Sequence, residues 1–310
     1  MPEDRVANTI KLSEALSKDE LKSLRQKSDL RAIASFAWTW GLIAFAFALA
    51  IVWPNPFTIL FGIIILGGRQ LALGVMNHDC AHHAFFKSKA VNEFVGHWLC
   101  GAPLNTSLHA YRAYHLKHHK FAGTPDDPDI GFVKDYPVSK DSLRRKFIRD
   151  LTGQTGYRDT LRKIRNFKLS KNWPWLTFHV LLLGTLTLAG APWAYLMWWA
   201  AELTVYPAIV RLRQIGEHGT AKDRTSLDAR LNTGTTVAPF WQRVFIAPND
   251  VNYHLEHHMF ASIPPYNLGR MHRILAARGY YDGYDCISRG YGDVIRRAVR
   301  PDEAQMAVAE

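Results

Sequence analysis

Two long apolar runs joined by a short proline-rich turn stand near the amino terminus. They read "IASFAWTWGLIAFAFALAIVW" (residues 33–53), "PNP" (54–56) and "FTILFGIIILGGRQLALGVM" (57–76). About 20 apolar residues form a helix long enough to cross the hydrocarbon core of a bilayer. Proline ends such a helix because its ring clashes with the preceding turn and it lacks a backbone N–H. The stretch therefore predicts a hairpin of two transmembrane helices.

A second pair of apolar runs follows a long polar segment, residues 77–172. It reads "WLTFHVLLLGTLTLAG" and "APWAYLMWWAAELTVYPAIV", with spans predicted at about 175–190 and 193–210. Tryptophans stand near the ends of these runs, as in the interfacial belts of membrane proteins. The chain is therefore predicted to be an all-α integral membrane protein with four transmembrane helices in two hairpins.

Basic residues are distributed unequally between the two sides of this arrangement. The formal net charge is +11, and neither connecting turn, 54–56 or 189–192, contains Lys or Arg. The positive-inside rule then predicts that both termini and residues 77–172 are cytoplasmic, and we expect a bacterial inner-membrane protein. Arg69 is the one basic residue within a span. It is expected to face the protein interior or the polar end of its helix, because a central Arg costs about 2.5–3.5 kcal/mol on insertion scales.

The alternation of polar and apolar segments also defines the organisation of the chain. It predicts a cytoplasmic amino-terminal arm (1–32), a membrane domain (33–280) and a cytoplasmic carboxy-terminal tail (281–310). The basic excess does not indicate nucleic-acid binding, because it flanks the spans and no recognition motif is present. The three cysteines form no CxxC pair, so they indicate neither an iron–sulfur site nor a zinc knuckle.

Histidine is concentrated in three short clusters, "HDCAHH" (78–83), "HLKHH" (115–119) and "HLEHH" (254–258). Residues three and four apart share one face of a helix, so each cluster is expected to aim two or three imidazoles at one point. Neutral imidazole is the commonest metal ligand. Eight such ligands exceed a four-coordinate zinc site and suit two iron ions with positions left for oxygen. The candidates are His78, His82, His115, His118, His119, His254, His257 and His258.

Histidines outside these clusters are interpreted as structural residues. A lone histidine is more often a hydrogen-bonded packing residue than a metal ligand. His179 lies inside a predicted span, where it is expected to be a polar group of the helix interface. The other three are His97, His109 and His272.

The three clusters and their flanks resemble the membrane fatty acid desaturase superfamily. The similar stretches are "MNHDCAHHAFF", "HHKFAGTPDDPD" and "NYHLEHHMFASIPPYNLGRMHRIL", and the resemblance covers roughly residues 30–280. It implies HxxxH, HxxHH and HxxHH boxes carried by a helical cytoplasmic cap on a four-span domain. It also implies a non-haem di-iron centre that uses O2 as co-substrate to remove hydrogen from an unactivated C–H bond, leaving a double bond or an alcohol.

The resemblance adds one ligand and leaves one choice open. His218 in "RQIGEHGT" (213–220) is expected to be a ninth iron ligand, because the family often supplies a histidine between the fourth span and the last box. The HxxxH pattern uses His82, and a spacing one residue longer would use His83 in its place. Residues beside the ligands are expected to orient the imidazoles. These are Asp79, Gln214, Glu217, Asn252 and Glu256.

Two polar segments keep several interpretations. The acidic residues of "DDPD", namely Asp126, Asp127 and Asp129, could cap a helix, accept hydrogen bonds from ligand histidines or form a solvated turn. The basic segment 142–173 could receive an acidic redox partner, bind anionic lipid head groups or simply follow the positive-inside rule. The sequence has no flavin fingerprint, cytochrome b5-like domain or cysteine cluster, so a separate electron donor of the ferredoxin, rubredoxin or cytochrome b5 type is expected.

Three functions are compatible with these features. The first is desaturation or hydroxylation of a fatty-acyl chain in a lipid or thioester. The second is a carotenoid ketolase or hydroxylase, in which the last box also often reads "NYHLEHH". The third is a non-catalytic membrane metal-binding or scaffold protein, which predicts damaged boxes, whereas the boxes here are intact.

Overall fold

The protein is mostly helical with almost no strands, and the computed structural model describes residues 11–301. Its α-helices are α1 (Leu12–Ala15), α2 (Lys18–Leu24), α3 (Asp29–Val52), α4 (Pro56–Ala81), α5 (Lys89–Phe94), α6 (Leu108–Phe121), α7 (Ile130–Val133), α8 (Lys140–Leu151), α9 (Gln154–Arg165), α10 (Leu169–Leu188), α11 (Tyr195–Ala200), α12 (Tyr206–Gln214), α13 (Ala229–Asn232), α14 (Phe240–Phe245), α15 (His254–Met259), α16 (Pro265–Ala277) and α17 (Tyr291–Arg297). The π-helical turns are Val95–Gly101, Ala201–Val205 and Ile215–Gly219, and the 3-10 turns are Ala102–Leu104, Pro192–Ala194 and Pro248–Asp250. Strands β1 (Thr235–Thr236) and β2 (Ile287–Ser288) pair in parallel.

The first predicted hairpin is present as α3 and α4. The Asn55 side chain accepts hydrogen bonds from the backbone N–H groups of Phe57 and Thr58, and Pro56 stands in the first turn of α4. This is the arrangement that proline favours, because the first turn of a helix has no acceptors for its N–H groups. By length and apolar composition both helices could cross a membrane. The second helix runs on past the predicted end at residue 76 and so carries the first histidine of the first cluster.

The second predicted hairpin corresponds to α10 and to a helical segment over residues 195–219. That segment is not one regular α-helix, because π-helical turns follow α11 and α12. Pro207 lies at the start of α12. Within residues 11–301, only α3 and α4 are both long and apolar enough to qualify as spans. The third and fourth spans therefore stay predictions.

Helix α4 is the centre of the fold, and its second half is buried among the other elements. Arg69 is 2% exposed and donates a hydrogen bond to the carbonyl of Val244. Gln70 Nε2 donates to the carbonyl of Trp198 at 2.9 Å. Of the two placements expected for Arg69, the structure has the one that faces the protein interior. These bonds tie α4 to both α14 and α11.

The described parts of the predicted arm and tail pack on the rest of the protein. Leu24 is buried against Leu255 and Met271, and Asn267 Nδ2 donates to the Leu24 carbonyl at 2.8 Å. At the other end, β2 pairs with β1, and the Val299 backbone pairs with that of Val138. Residues 1–10 and 302–310 of the predicted arm and tail lie outside the described residues. The three-part division stays a prediction.

Candidate metal centre

Four helical elements carry the candidate ligands to one end of α4. The last turn of α4 contains His78, and His82 follows its end. His218 lies in the π-helical turn after α12. The other two elements are α6, with His115, His118 and His119, and α15, with His254, His257 and His258.

The nine imidazoles form two groups, and the ligating nitrogens of each group lie within 4.8 Å of one another. In the first, His78 Nε2 is 3.0 Å from His257 Nε2. In the second, His218 Nε2 is 3.1 Å from His254 Nε2. The five-histidine group consists of His78, His82, His115, His119 and His257, and the four-histidine group of His118, His218, His254 and His258.

The expectation that each cluster aims its histidines at one point is wrong for the second and third clusters. In α6, His115 and His119 belong to the five-histidine group, whereas His118 belongs to the four-histidine group. In α15, His254 and His258 belong to the four-histidine group, whereas His257 belongs to the five-histidine group. Successive residues of an α-helix are rotated by about 100°. Positions i+3 and i+4 therefore lie on opposite sides of position i, and adjacent histidines point to different groups.

His83 lies outside both groups. Its backbone has φ of 52°, and its Nε2 is 3.5 Å from Glu93 Oε1. His83 follows the end of α4 in a left-handed conformation, whereas its neighbour His82 belongs to the five-histidine group. The structure therefore places the HxxxH pair, rather than the pair with the longer spacing, among the clustered rings.

Several rings are held through Nδ1, which leaves Nε2 directed at the group. His78 Nδ1 contacts Asp79 Oδ1 at 2.8 Å, and His118 Nδ1 contacts Asp127 Oδ1 at 2.8 Å. His218 Nδ1 is 3.1 Å from the carbonyl of Asn232. An acceptor on one ring nitrogen fixes the tautomer and the orientation of a metal-binding imidazole.

In the acidic segment 126–129, Asp127 accepts a hydrogen bond from a candidate ligand, which is one of the three roles predicted for this segment. It is buried and accepts backbone hydrogen bonds from Gly123 and Asp129, both at 2.8 Å, in addition to its contact with His118. Asp126 is exposed. Within this segment, the role of accepting a bond from a histidine falls on Asp127, and the surrounding loop fixes its carboxylate in place.

The carboxylate of Glu256, in the third cluster, is held by several side chains from other parts of the chain. Glu256 is fully buried, and its oxygens contact His272 Nδ1 at 2.6 Å and accept hydrogen bonds from Thr235 and Tyr281. The sequence predicts a structural role for His272, and the structure places its ring against Glu256, a residue of the helix that carries three candidate ligands. Thr235 and Tyr281 were not anticipated, because nothing in their local sequence marks them. The resemblance of the flank through "RMHRIL" was the only signal for His272.

The remaining candidate orienting residues differ in their contacts. Glu217 Oε1 is 3.1 Å from Arg213 Nε and 3.4 Å from His254 Nδ1. Gln214 lines a cavity of about 30 Å³ that both histidine groups also line. Asn252 Nδ2 donates to the Thr236 carbonyl at 2.9 Å and so fixes the loop before α15. Within residues 11–301, no side-chain hydrogen bond joins Gln214 or Asn252 to a histidine.

Burial keeps most of the clustered imidazoles neutral. It lowers the pKa of His119 and of His218 to about 3, with a further contribution from neighbouring histidines. His118 differs: burial works against its charged form, but the hydrogen bond to Asp127 and the nearby carboxylates raise its pKa. Burial also raises the pKa of Glu217 to about 7, against the effect of Arg213. Neutral imidazole is the form that binds metal.

The residues fit two transition-metal ions. All donors are imidazole nitrogens, which suit such metals and not the oxygen-seeking Mg²⁺ or Ca²⁺. The Nε2 atoms of His82 and His258 are buried without a hydrogen-bond partner among the described residues. A buried nitrogen without a partner destabilises the fold, and a metal ion bound to each of these nitrogens would remove that cost.

Comparison with known proteins agrees with this geometry. A family model described as fatty acid desaturase matches residues 54–289. The chain belongs to the fatty acid desaturase family. This desaturase-family chain is therefore an oxidoreductase of a family that acts on lipid chains and is associated with membranes.

Three relatives illustrate the similarity of this desaturase-family chain to characterised enzymes. It is 27% identical over 293 residues to the sn-1 oleoyl-lipid 12-desaturase of Synechocystis sp., covering 87% of this chain and 82% of that protein. It is 28% identical to the sn-1 acyl-lipid omega-3 desaturase (ferredoxin) of Nostoc sp., covering 66% of this chain and 64% of that protein. The dihydrorhizobitoxine desaturase of Bradyrhizobium elkanii is 24% identical, with 88% and 82% covered.

Proposed function

We propose that the protein is an O2-dependent di-iron desaturase that introduces a double bond into the fatty-acyl chain of a lipid or thioester. The observation that carries the proposal is the division of nine imidazoles into two adjacent groups, each within 4.8 Å. The names of the relatives, which include two acyl-lipid desaturases, support desaturation as the reaction.

Two irons would be held by the five-histidine and four-histidine groups. With electrons from a partner, they would supply the activation of O2 needed to remove two hydrogens from a saturated carbon pair. The residues of this chain hold and orient the metals, since Asp79, Asp127 and Asn232 accept bonds from ligand rings. Most of the ligand rings are buried, which excludes water that would otherwise compete at the reacting position.

The proposed setting is a bacterial inner membrane, with four spans and the histidine groups on the cytoplasmic side. Exposed apolar side chains support this arrangement. Phe57 is 85% exposed on α4, and Leu188 is 92% exposed on α10. Both stand beside turns without basic residues, at the opposite end of their helices from the basic segments. Such exposure is costly in water and favourable in lipid.

Electrons would come from a separate protein of the ferredoxin, rubredoxin or cytochrome b5 type. The name of the Nostoc relative includes ferredoxin, which supports the first of these for this family member. The cytoplasmic side of the protein is basic, and electron donors of this kind are commonly acidic. Segment 142–173 is the candidate docking surface, because it concentrates Lys and Arg.

The test is to remove one ring from each group. His257→Ala affects the five-histidine group and His118→Ala the four-histidine group, and both should abolish turnover and lower bound iron. His109→Ala is the matched control, because its ring is 70% exposed and outside both groups. Each variant is expressed in a host with defined lipids and pigments, purified for iron analysis, and its products are examined by mass spectrometry.

The products separate the candidate reactions. Loss of two hydrogens from an acyl chain supports the proposal. Gain of one oxygen indicates a hydroxylase, and a new keto group on a pigment indicates a carotenoid ketolase. If the iron-loaded wild-type protein, supplied with a reducing partner, leaves the lipids and pigments unchanged, it is a non-catalytic metal-binding protein. Full turnover by both alanine variants would refute the ligand assignment.

A further inference from the structure

A cavity of about 620 Å³ lies between α9 and the π-helical turn 201–205, outside the histidine groups. Its lining is mixed in character. Leu104 and Phe132 are apolar, whereas Lys163, Asn172 and Glu202 are polar or charged. The volume is within the range of small-molecule sites and is about twenty times that of the cavity between the histidine groups.

Glu202 is the residue that makes this cavity unusual. It lies within the predicted fourth span and is 3% exposed. Its Oε1 accepts a hydrogen bond from Lys163 Nζ at 2.7 Å, whereas its Oε2 is buried and has no hydrogen-bond partner among residues 11–301. Charged groups in spans are costly and mark functional sites. The unsatisfied carboxylate oxygen therefore indicates a ligand that brings a hydrogen-bond donor.

The walls of the cavity are held rigidly. A Cβ atom on Gly156 would lie 2.3 Å from the Leu203 carbonyl oxygen, so only glycine lets α9 pack directly on the π-helical turn. Two other lining residues are also joined, since Asn172 Nδ2 donates to Asn105 Oδ1 at 2.7 Å. Single π-helical turns within helices occur frequently at functional sites. The cavity is thus a constructed feature between fixed elements.

The charges that line the cavity balance. Arg162 and Lys163 are cationic, and Asp159 and Glu202 are anionic, although the whole chain has a net charge of +11. A site for a purely anionic ligand would carry an excess of positive charge. The charges also pair within the lining, since Arg162 Nη1 is 3.4 Å from Asp159 Oδ1 and Lys163 contacts Glu202. A lining of zero net charge accommodates a ligand of zero net charge, and the cation of such a ligand would face the unpaired oxygen of Glu202.

We propose that this cavity binds the zwitterionic head group of the lipid substrate, an ammonium group next to a phosphodiester. The ammonium donates to Glu202 Oε2, and the phosphodiester lies against Lys163 and Arg162. The inference rests on the proposed function, because it names the head group that carries the acyl chain. Tyr206 lines this cavity, and Arg213 lines the cavity between the histidine groups. The two residues are separated by seven positions of helix, or about 10 Å. The cavity and the histidine groups therefore lie about two helical turns apart, which is less than the length of a long acyl chain.

The test measures which lipids the intact protein retains. The purified iron-loaded protein is placed in nanodiscs with equal amounts of phosphatidylethanolamine, phosphatidylcholine and phosphatidylglycerol that carry the same acyl chains. Lipids that stay bound after detergent extraction are counted by native mass spectrometry. We expect about tenfold enrichment of phosphatidylethanolamine over phosphatidylglycerol, with phosphatidylcholine lower because its nitrogen has no N–H donor. Equal retention of the three lipids by the wild-type protein would overturn the inference.

The variant Glu202→Gln has the same shape and keeps an acceptor for Lys163, but it presents an N–H donor where the ammonium would bind. The enrichment should fall about tenfold in this variant. Asp141→Asn, an exposed acid-to-amide change on α8 away from the cavity, should retain it. Unchanged enrichment in a Glu202→Gln protein with normal iron content would likewise contradict the assignment.

Failure of this inference differs from failure of the proposed function. Lipid retention needs no turnover, so the two properties are measured separately on the same preparation. A protein that desaturates all three lipids without enrichment retains the proposed function and excludes the head-group site. A protein that enriches phosphatidylethanolamine but never alters an acyl chain retains the head-group site and excludes the proposed function.

Discussion

The two histidine groups are built differently, although they share two of the three clusters. The five-histidine group uses the end of α4, where His78 and its acceptor Asp79 are neighbours in one long helix. The four-histidine group draws its acceptors from outside its own helices, since Asp127 lies in the loop after α6 and Asn232 ends the short helix α13. The comparison teaches that one group depends on a regular helix and the other on how loops and a short helix pack against it.

The largest effects are expected from removing a ring from either group, and the first test concerns the smaller group. His218→Ala leaves three rings in the four-histidine group and should reduce desaturation by more than about 100-fold, beyond what loss of a supporting bond causes. Bound iron should fall from about two to about one per protein, measured by elemental analysis. Retention of both irons and of activity would show that His218 is not a ligand.

His82 and His83, at the end of α4, test which histidine of the first cluster belongs to the five-histidine group. His82→Ala should reduce desaturation by more than about 100-fold, because this ring belongs to the five-histidine group. His83→Ala, the adjacent control, should retain activity within about twofold, because that ring faces Glu93 instead. Product analysis of the two purified variants measures the difference. The opposite order of activities would favour the longer first-cluster spacing.

An intermediate effect is expected from the acceptor carboxylates. Asp127→Asn removes the charge next to His118 and should weaken metal binding by about 10- to 100-fold, measured by competition with a chelator. Asp79→Asn makes the equivalent change beside His78 in the five-histidine group. Because the Asp127 loop also depends on this carboxylate for two backbone bonds, its variant should show the greater loss.

Asp126→Asn is the control for these changes, because this neighbouring carboxylate is exposed. Its metal affinity should equal that of the wild-type protein. Should Asp79→Asn weaken binding more than Asp127→Asn, the idea that the four-histidine group depends more on its loops would be wrong.

The smallest effect is expected behind the third cluster. Tyr281→Phe removes one of the donors to the buried carboxylate of Glu256 and should lower the free energy of unfolding by about 1–3 kcal/mol. Thermal unfolding in detergent measures the change. Tyr157→Phe is the control, because Tyr157 is 62% exposed. Equal melting temperatures for the two variants would show that the Tyr281 hydroxyl does not stabilise α15.

The reach of sequence reasoning differed between the two hairpins. The first was predictable because span length, apolar composition and the position of proline are local properties of residues 33–76. The second contains π-helical turns and the buried Glu202, whose environment depends on α9. Local pattern does not reveal such a partner, since Lys163 is 39 residues away in the chain.

The candidate site shows the same division. Its box histidines were identifiable by their spacing, and His218 followed only from the resemblance. The supporting residues Thr235 and Tyr281 lie 21 and 25 residues from Glu256, and no periodicity relates them to it. The sequence leaves three interpretations of the acidic segment, and the folded loop selects one by placing Asp127 against His118.

The sequence by itself determined the helical class, the first hairpin and the types of donor atom available for metal binding, because these depend on neighbours within a few residues. Only the tertiary structure decided which ring joins which group, which carboxylate holds it and where a charged residue finds its partner. These choices depend on side chains from distant segments that meet when the helices pack. Helix geometry limited them, since adjacent histidines on one helix cannot point at the same place.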